Sequence, residues 1–503
     1  MAALSTELEV LEISRGDILV RQGEVADALF IVLSGRFIVT REGRETPVTE
    51  IAADQPIGEI AFLTGSPRTA SVRALRDSLV LKLSRDQFER LAATKPSIWR
   101  SLTATLAQRL AETTSGMPAA QEPRPRVIAV IRAGGHPVPA AFLNALVAAL
   151  SSDAETLVLD SSRGIPGGGA QLDTPEATRA LNALEQQYRT ILLIADDTLT
   201  PWSEKVLRHA DLVLAVGCFE ADTKLNPLEQ RASELLQPDA IRLVLLHSRR
   251  AMPQGTARWL DRRKVAMHHH VALDDKADIE RLLRFVNGTA LGFVACGGGA
   301  LCAAHVGVYK ALTEAGFQFD MFGGTSAGSA MAAAFAIGTS PDEVDRGIHD
   351  IFVSNRAMGR YTWPRYSLLD HRHFDDQLAR YFGQYEIEDL WLPFFAVSTN
   401  LSRFCLNQHR RGSLFAAIRA SSSIPALLPP VYTPDGEMLV DGCLLNNVPV
   451  SVMRQLKRGP NIVVSFSLPQ LERFSVDYAK LPSRGELMRR ALSPLKRREM
   501  PKA

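Results

Sequence analysis

The chain has 503 residues, 46% of them apolar, and a formal net charge of +2. That length supports several globular domains, and the near-balanced charge excludes the broad basic field of a nucleic-acid-binding protein. With no uninterrupted apolar span of ~18 residues and no secretory leader, a cytoplasmic chain is expected, its membrane contact limited to peripheral attachment at the inner face. Residues 1–115 set short apolar alternations, Ile18 to Val20, Leu29 to Leu33, Phe37 to Thr40 and Leu79 to Leu83, between the turn residues Gly16, Gly23 and Ser34-Gly35. This spacing predicts a small antiparallel β-roll.

Within the roll runs Gly58-Glu59-Ile60-Ala61, followed by Pro67-Arg68-Thr69-Ala70-Ser71. A guanidinium beside free backbone N–H groups suits a phosphate, and a carboxylate suits a ribose hydroxyl. The segment resembles the phosphate-binding cassette of cyclic-nucleotide-binding domains, which reads G-E-[LI]-A and then P-R-x-A-[ST]. The resemblance implies that Gly58 opens the cassette, Glu59 holds the ribose 2′-hydroxyl, Arg68 holds the cyclic phosphate, and Ala70 adds its N–H. Thr69 is similar to variants that prefer cyclic GMP, and cyclic AMP stays open as the ligand. A helical pattern over residues 85–112 (Phe88, Leu91, Trp99, Leu102, Leu106, Leu110) is expected to close over the nucleotide and relay its presence.

Three prolines between Met117 and Pro125 mark 116–125 as a linker. From 126 to 287, apolar strands (Val127 to Ile131, Leu157 to Leu159, Ile191 to Ala195, Leu212 to Val216, Leu243 to Leu246) alternate with helical stretches. That predicts a Rossmann-like α/β layered domain with a mainly parallel sheet. Its first strand leads into Arg132-Ala133-Gly134-Gly135-His136-Pro137, without the G-K-[ST] of a working P-loop. We read a degenerate P-loop-like fold that hydrolyses no nucleotide. His268-His269-His270 lacks the further ligands of a metal site and is read as a domain contact; no metal or catalytic cofactor is expected.

In the last part, 288–470, the apolar stretch Leu291 to Ala295 enters Gly297-Gly298-Gly299 ahead of a helical pattern. Bare glycine N–H groups there suit an oxyanion hole. Next comes the G-x-S-x-G pentapeptide Gly324-Thr325-Ser326-Ala327-Gly328, between an apolar run and the small residues Ser329 to Ile337. Strand, tight turn and helix make a nucleophile elbow, in which Gly324 and Gly328 let the turn close around Ser326. Further on, Glu437 to Gly442 reads as a short strand ending in Asp441, and no histidine follows it. A Ser…Asp…His chain order is therefore excluded, and a Ser326–Asp441 dyad remains if burial lifts the carboxyl above its usual value near ~4.

This order of motifs, with Arg419 to Pro425, Leu428-Pro429-Pro430 and Asn446-Asn447-Val448-Pro449, resembles a patatin-like phospholipase domain of the α/β hydrolase type. By that resemblance Ser326 is the nucleophile, Asp441 the base, and Gly297, Gly298 and Gly299 the oxyanion donors for hydrolysis of lipid esters. Leu301 and Cys302 stand where that family usually has arginine and glycine, and Cys443 follows the Asp-Gly pair. The other reading these departures leave is a cyclic-nucleotide-sensing protein with a silent patatin-like domain. Roll, α/β middle and patatin-like end together resemble the neuropathy target esterase family, whose members act on lysophospholipids and phospholipids. The five cysteines form no close pairs and are expected as reduced thiols. The tail, 471–503, has seven basic and two acidic residues between Arg484 and Lys502, and could lie on anionic lipid.

Overall fold

The computed structural model describes residues 9–43, 49–94, 99, 125–151, 156–169, 171–363, 367–466, 483 and 485. Most of the helix expected beyond Thr94, the linker up to residue 124 and nearly all of the basic tail lie outside them. Residues 1–464 form one unit and 465–503 a second.

The N-terminal part is the expected β-roll. Its strands are β1 (Glu9–Ile13), β2 (Ile18–Val20), β3 (Ala28–Ser34), β4 (Phe37–Thr40), β5 (Thr49–Ile51), β6 (Pro56–Ile57), β7 (Ser71–Ala74) and β8 (Ser78–Ser84). They pair in two four-stranded antiparallel sheets, ordered β1-β8-β3-β6 and β2-β7-β4-β5. The inward residues of both sheets, among them Val32, Phe37, Ile57 and Val80, form one core, as period-two alternation demands.

The middle part is a six-stranded parallel sheet: β9 (Val127–Arg132), β10 (Thr156–Leu159), β11 (Thr190–Ile194), β12 (Leu212–Cys218), β13 (Ile241–His247) and β14 (Met267–Ala272). Helices cover both faces, with Leu181, Val206, Leu228 and Trp259 packed on one and Phe142, Leu146, Ile279 and Leu282 on the other. Three of these helices begin at Thr174-Pro175, Thr200-Pro201 and Asn226-Pro227, each cap side chain accepting a backbone N–H from the first turn. The strand order is β10-β11-β9-β12-β13-β14. The sheet is parallel as expected, but the two strands beyond β9 are exchanged relative to the Rossmann order. The first crossover passes over one strand position, and β11 then fills the place beside β9. The glycine turn after β9 is closed by protein: Gly134 N–H donates to Glu229 Oε2 at 3.0 Å, and Glu229 is paired with Arg263 at 2.6 Å. A carboxylate thus uses the backbone donor that a phosphate would need.

The C-terminal sheet has β15 (Gly292–Ala295), β16 (Met321–Thr325), β17 (Phe394–Asn400), β18 (Cys405–His409), β19 (Val431–Tyr432), β20 (Met438–Asp441) and β21 (Asn461–Val464). β21, β15, β16 and β17 run parallel, β18 and β20 pair antiparallel with β17, and β19 pairs antiparallel with β20. β18 pairs with β17 over Ala396–Asn400, so β16 and β20 must share the other edge of β17.

Charged contacts join the roll to the middle part. Arg76 and Asp77, in the β7–β8 turn, meet Glu185 at 2.7 Å and Lys205 at 3.0 Å, all four side chains buried. On the far side of the middle part, His268 and His270 both reach the Glu388 carbonyl, at 2.8 and 2.9 Å. Alternate residues of β14 share a face, so the histidine run is a contact between the layers. His269 points the other way, against Phe285.

Candidate active site

Ser326 stands between β16 and the helix Ala327–Ile337, with φ 54° and ψ −137°. A non-glycine residue in that region carries roughly 1–3 kcal/mol of strain, which the surrounding packing must hold. The glycines explain how. A Cβ at Gly328 would lie 2.2 Å from the Cys296 carbonyl oxygen, and one at Gly324 would lie 2.7 Å from the Gly328 carbonyl oxygen. Only bare backbone lets the helix start this close to β15. Behind Ser326, its N–H donates to Ser421 Oγ at 2.8 Å, and Ser421 Oγ donates to the Val397 carbonyl at 2.6 Å. The Ser326 carbonyl accepts from Ser329 Oγ at 2.6 Å.

Asp441 reaches Ser326 through β17. Thr325 pairs with Val397 on that strand, and Asp441 pairs with the next residue, Ser398. Two segments 115 residues apart therefore occupy consecutive rungs of one strand edge. Ser326 Oγ donates to Asp441 Oδ2 at 2.6 Å, and Cys443 N–H donates to Asp441 Oδ1 at 2.9 Å. The Asp441 N–H is held by the Ser423 carbonyl at 2.9 Å. Asp441 is fully buried. Burial raises its pKa above the usual carboxylate value, and the hydrogen bonds from Ser326 and Cys443 limit the rise.

The three glycines after β15 divide. Gly297 is buried beside the nucleophile, where a Cβ would sit 3.0 Å from Ser326 Cβ and 2.5 Å from Asn447 Oδ1. Its N–H donates to the Asn447 carbonyl at 3.3 Å, and Asn447 Nδ2 donates back to the Gly297 carbonyl at 3.2 Å. The Gly297 N–H, expected as an oxyanion donor, is thus engaged with the chain itself. Gly298 and Gly299 are exposed at the start of the 3-10 segment Gly299–Ala303, where first-turn N–H groups have no helical partner. Cys302 lies beneath them, buried, with its thiol on the Cys296 carbonyl. Burial pushes the Cys302 thiol up to about 12, and at Cys443, an exposed residue, partial desolvation and the adjoining Asp441 carboxylate also raise the thiol, so neither is a ready thiolate at neutral pH. His305 is also buried, bound to the Cys296 carbonyl at 3.0 Å.

Sequence reading missed how Ser421, Ser423 and Asn447 hold the site. The signal was present as Ser421-Ser422-Ser423 and Asn446-Asn447-Val448-Pro449, but neither stretch says which backbone group it meets.

In the roll, the cassette is closed on itself. Gly58 has φ 80°, and a Cβ there would lie 2.0 Å from Arg68 Nη1, so its bare backbone admits the guanidinium. Arg68 is buried and donates to the Gly58 carbonyl at 2.9 Å and the Ala28 carbonyl at 2.6 Å. Glu59 is buried at the start of the helix Glu59–Thr64, Thr69 is exposed and Ala70 half-buried. The helix Arg85–Thr94 locks onto the cassette helix: Phe88 meets Phe62 edge-on at 5.4 Å, and Arg85 donates to the Phe62 carbonyl.

A serine at a strained strand–helix elbow, bonded to a buried aspartate beside a glycine loop, defines the patatin-like class of hydrolase domain. A family model of the patatin-like phospholipase matches residues 293–454, a cyclic nucleotide-binding domain matches 10–95, and the neuropathy target esterase family P-loop like domain matches 135–290. An uncharacterised NTE family protein of Mycobacterium tuberculosis is 32% identical across 90% of this chain and 74% of its own length. The chain belongs to the neuropathy target esterase family. Patatin-like phospholipase domain-containing protein 7 of Rattus norvegicus is 30% identical across 92% of this chain. The chain spans 38% of the length of that rat relative. Among solved structures, the catabolite activator protein of Thermus thermophilus aligns at 28% identity with a TM-score of 0.20, over 21% of this chain and 51% of that one.

Proposed function

We propose that the protein hydrolyses carboxylic ester bonds of phospholipids or lysophospholipids through Ser326 and Asp441, under control of a cyclic nucleotide. The observation that carries this reading is the 2.6 Å hydrogen bond from Ser326 Oγ to a buried carboxylate, at an elbow strained into place. Asp441 takes the Ser326 proton as the serine attacks the ester carbonyl, and Gly298 and Gly299 face the developing oxyanion. The alcohol leaves with that proton. Asp441 then deprotonates the water that releases the acid from the acyl-serine. Leu301, Leu444 and Leu445, each more than half exposed, adjoin the glycine loop and Asp441 along the chain and suit a lipid substrate at a membrane surface. On this reading residues 1–115 sense, 126–287 connect and 288–470 catalyse.

Purified Ser326→Ala should lose at least ~10³-fold in kcat on lysophosphatidylcholine and on a short-chain nitrophenyl ester. Equal activity in the variant and the wild type would sink the dyad. Regulation requires Arg68 to exchange its two carbonyl partners for a phosphate. Arg68→Lys keeps the charge and loses the fork, so calorimetric titration with cyclic AMP and cyclic GMP should show at least ~10-fold weaker binding. Unchanged affinity would remove Arg68 from the nucleotide site.

A further inference from the structure

A cleft of about 470 Å³ opens where the middle part meets the C-terminal sheet. One wall is the approach to β14, including Ala266 and His268; the others are Met321 and Phe394, at the starts of β16 and β17, and Arg410 and Arg411 after β18. Met321 and Ser326 lie at opposite ends of β16, roughly 15 Å apart at strand rise. The cleft is therefore separate from the dyad.

Its charge is unbalanced. Arg410 donates to the neutral Ala266 carbonyl, and the charged group that acts on it most is the like-charged Arg411. Arg411 leans on the Leu260 carbonyl at 3.4 Å, and its ion pair with Asp261 is a loose 4.0 Å contact between exposed side chains. The nearby acids are committed to main chain: Glu388 accepts the Gly412 N–H at 2.6 Å, and Asp389 accepts those of Gly255 and Thr256 at 3.2 and 2.9 Å. His268 adds no charge, because burial takes its pKa down to about 4. Arg410, half-buried and resting on a neutral carbonyl, lacks the partner that its desolvation calls for. The rest of the lining is mostly aliphatic residues, with Gln408 and His409 as polar members, and the volume falls within the range of about 300–1,000 Å³ typical of small-ligand sites.

We propose that this cleft binds an amphipathic organic anion, with a carboxylate or phosphate head on Arg410 and Arg411 and an apolar body along Met321 and Phe394. Such a ligand would touch the middle part and the catalytic sheet at once, at the strand ends opposite Ser326. Fatty acids and alkyl phosphates share this chemistry.

The test is calorimetric titration of the full chain carrying Ser326→Ala, which removes the nucleophile so that no probe is turned over. Decanoate, decyl phosphate, decanol and inorganic phosphate are the probes. At least one of the two amphipathic anions should bind with a Kd below ~0.1 mM. Arg410→Gln and, separately, the exposed Arg411→Gln should each weaken it by at least ~10-fold. Decanol and inorganic phosphate should bind at least ~10-fold more weakly than the better anion. Comparing decanoate with decyl phosphate identifies the head group. The proposal is overturned by equal affinity in wild type and Arg411→Gln, by decanol binding as tightly as the anions, or by no heat from either anion at ~5 mM.

Discussion

Asp441→Asn is expected to lower kcat on lysophosphatidylcholine by about 10²–10⁴-fold while leaving the melting temperature equal to or above that of the wild type. The two effects have one cause. Asparagine keeps the shape and the acceptor for the Cys443 N–H, while its amide NH2 takes the place of Oδ2 and donates to Ser326 Oγ instead of accepting from it, so the packing around β20 is preserved. It loses the ability to take the serine proton. It also loses a charge that burial disfavours: the Asp441 pKa is raised in the fold. A carboxyl with a raised folded-state pKa is protonated in both states at low pH and destabilises the fold once pH climbs through the raised value. At neutral pH the charged Asp441 is therefore a cost to stability, and the neutral amide removes it. The same ionisation places a limb on the acid side of the wild-type kcat–pH profile, above the usual aspartate pKa. A melting temperature well below wild type, or a profile flat down to pH 4, would contradict the assignment of Asp441 as a buried base.

Lys205→Met should destabilise the chain by about 3–5 kcal/mol, the cost of leaving a buried charge without its partner. Lys205 is 1% exposed, and its ammonium meets Asp77 at 3.0 Å and Thr178 Oγ1 at 2.7 Å. Methionine fills a similar volume but removes the closest cation, leaving Asp77 the longer 3.5 Å contact with Arg208. Adding Asp77→Asn should recover much of the loss, because the amide oxygen can still accept the Arg15 N–H, now 3.1 Å from Asp77 Oδ1. Urea unfolding followed by circular dichroism reads both variants. Full stability in the single variant, or no recovery in the double, would show that the ion pair does not hold the roll to the middle part. Asp77 follows β7, the strand that leads directly out of the cassette at Arg68 to Ala70.

What could be read from sequence was local. The elbow, the glycine loop and the Asp-Gly turn are each compact signals, and the fold sets Ser326 at a strand–helix turn within hydrogen-bond reach of Asp441. The β-roll was legible because its strands alternate with one face buried. β17, the strand that unites the dyad, was not. All seven of its residues are buried, and its second half, Ser398-Thr399-Asn400, is polar, so neither alternation nor a sustained apolar run marks it. β14 was obscured in the same way by three histidines. Gly297 looked like a donor and turned out to be tied to Asn447, a partner 150 positions away that no local pattern announces.

The sharing of β17 by β16 and β20 has a consequence for how the chemistry is set. Nucleophile and base are spaced by a ladder of backbone hydrogen bonds, so their separation is gauged in units of one strand residue, about 3.3 Å. Loops on either side can change in length without altering that gauge. A single residue inserted between Val397 and Ser398 would shift it by a whole rung, leaving both residues present and the proton out of reach.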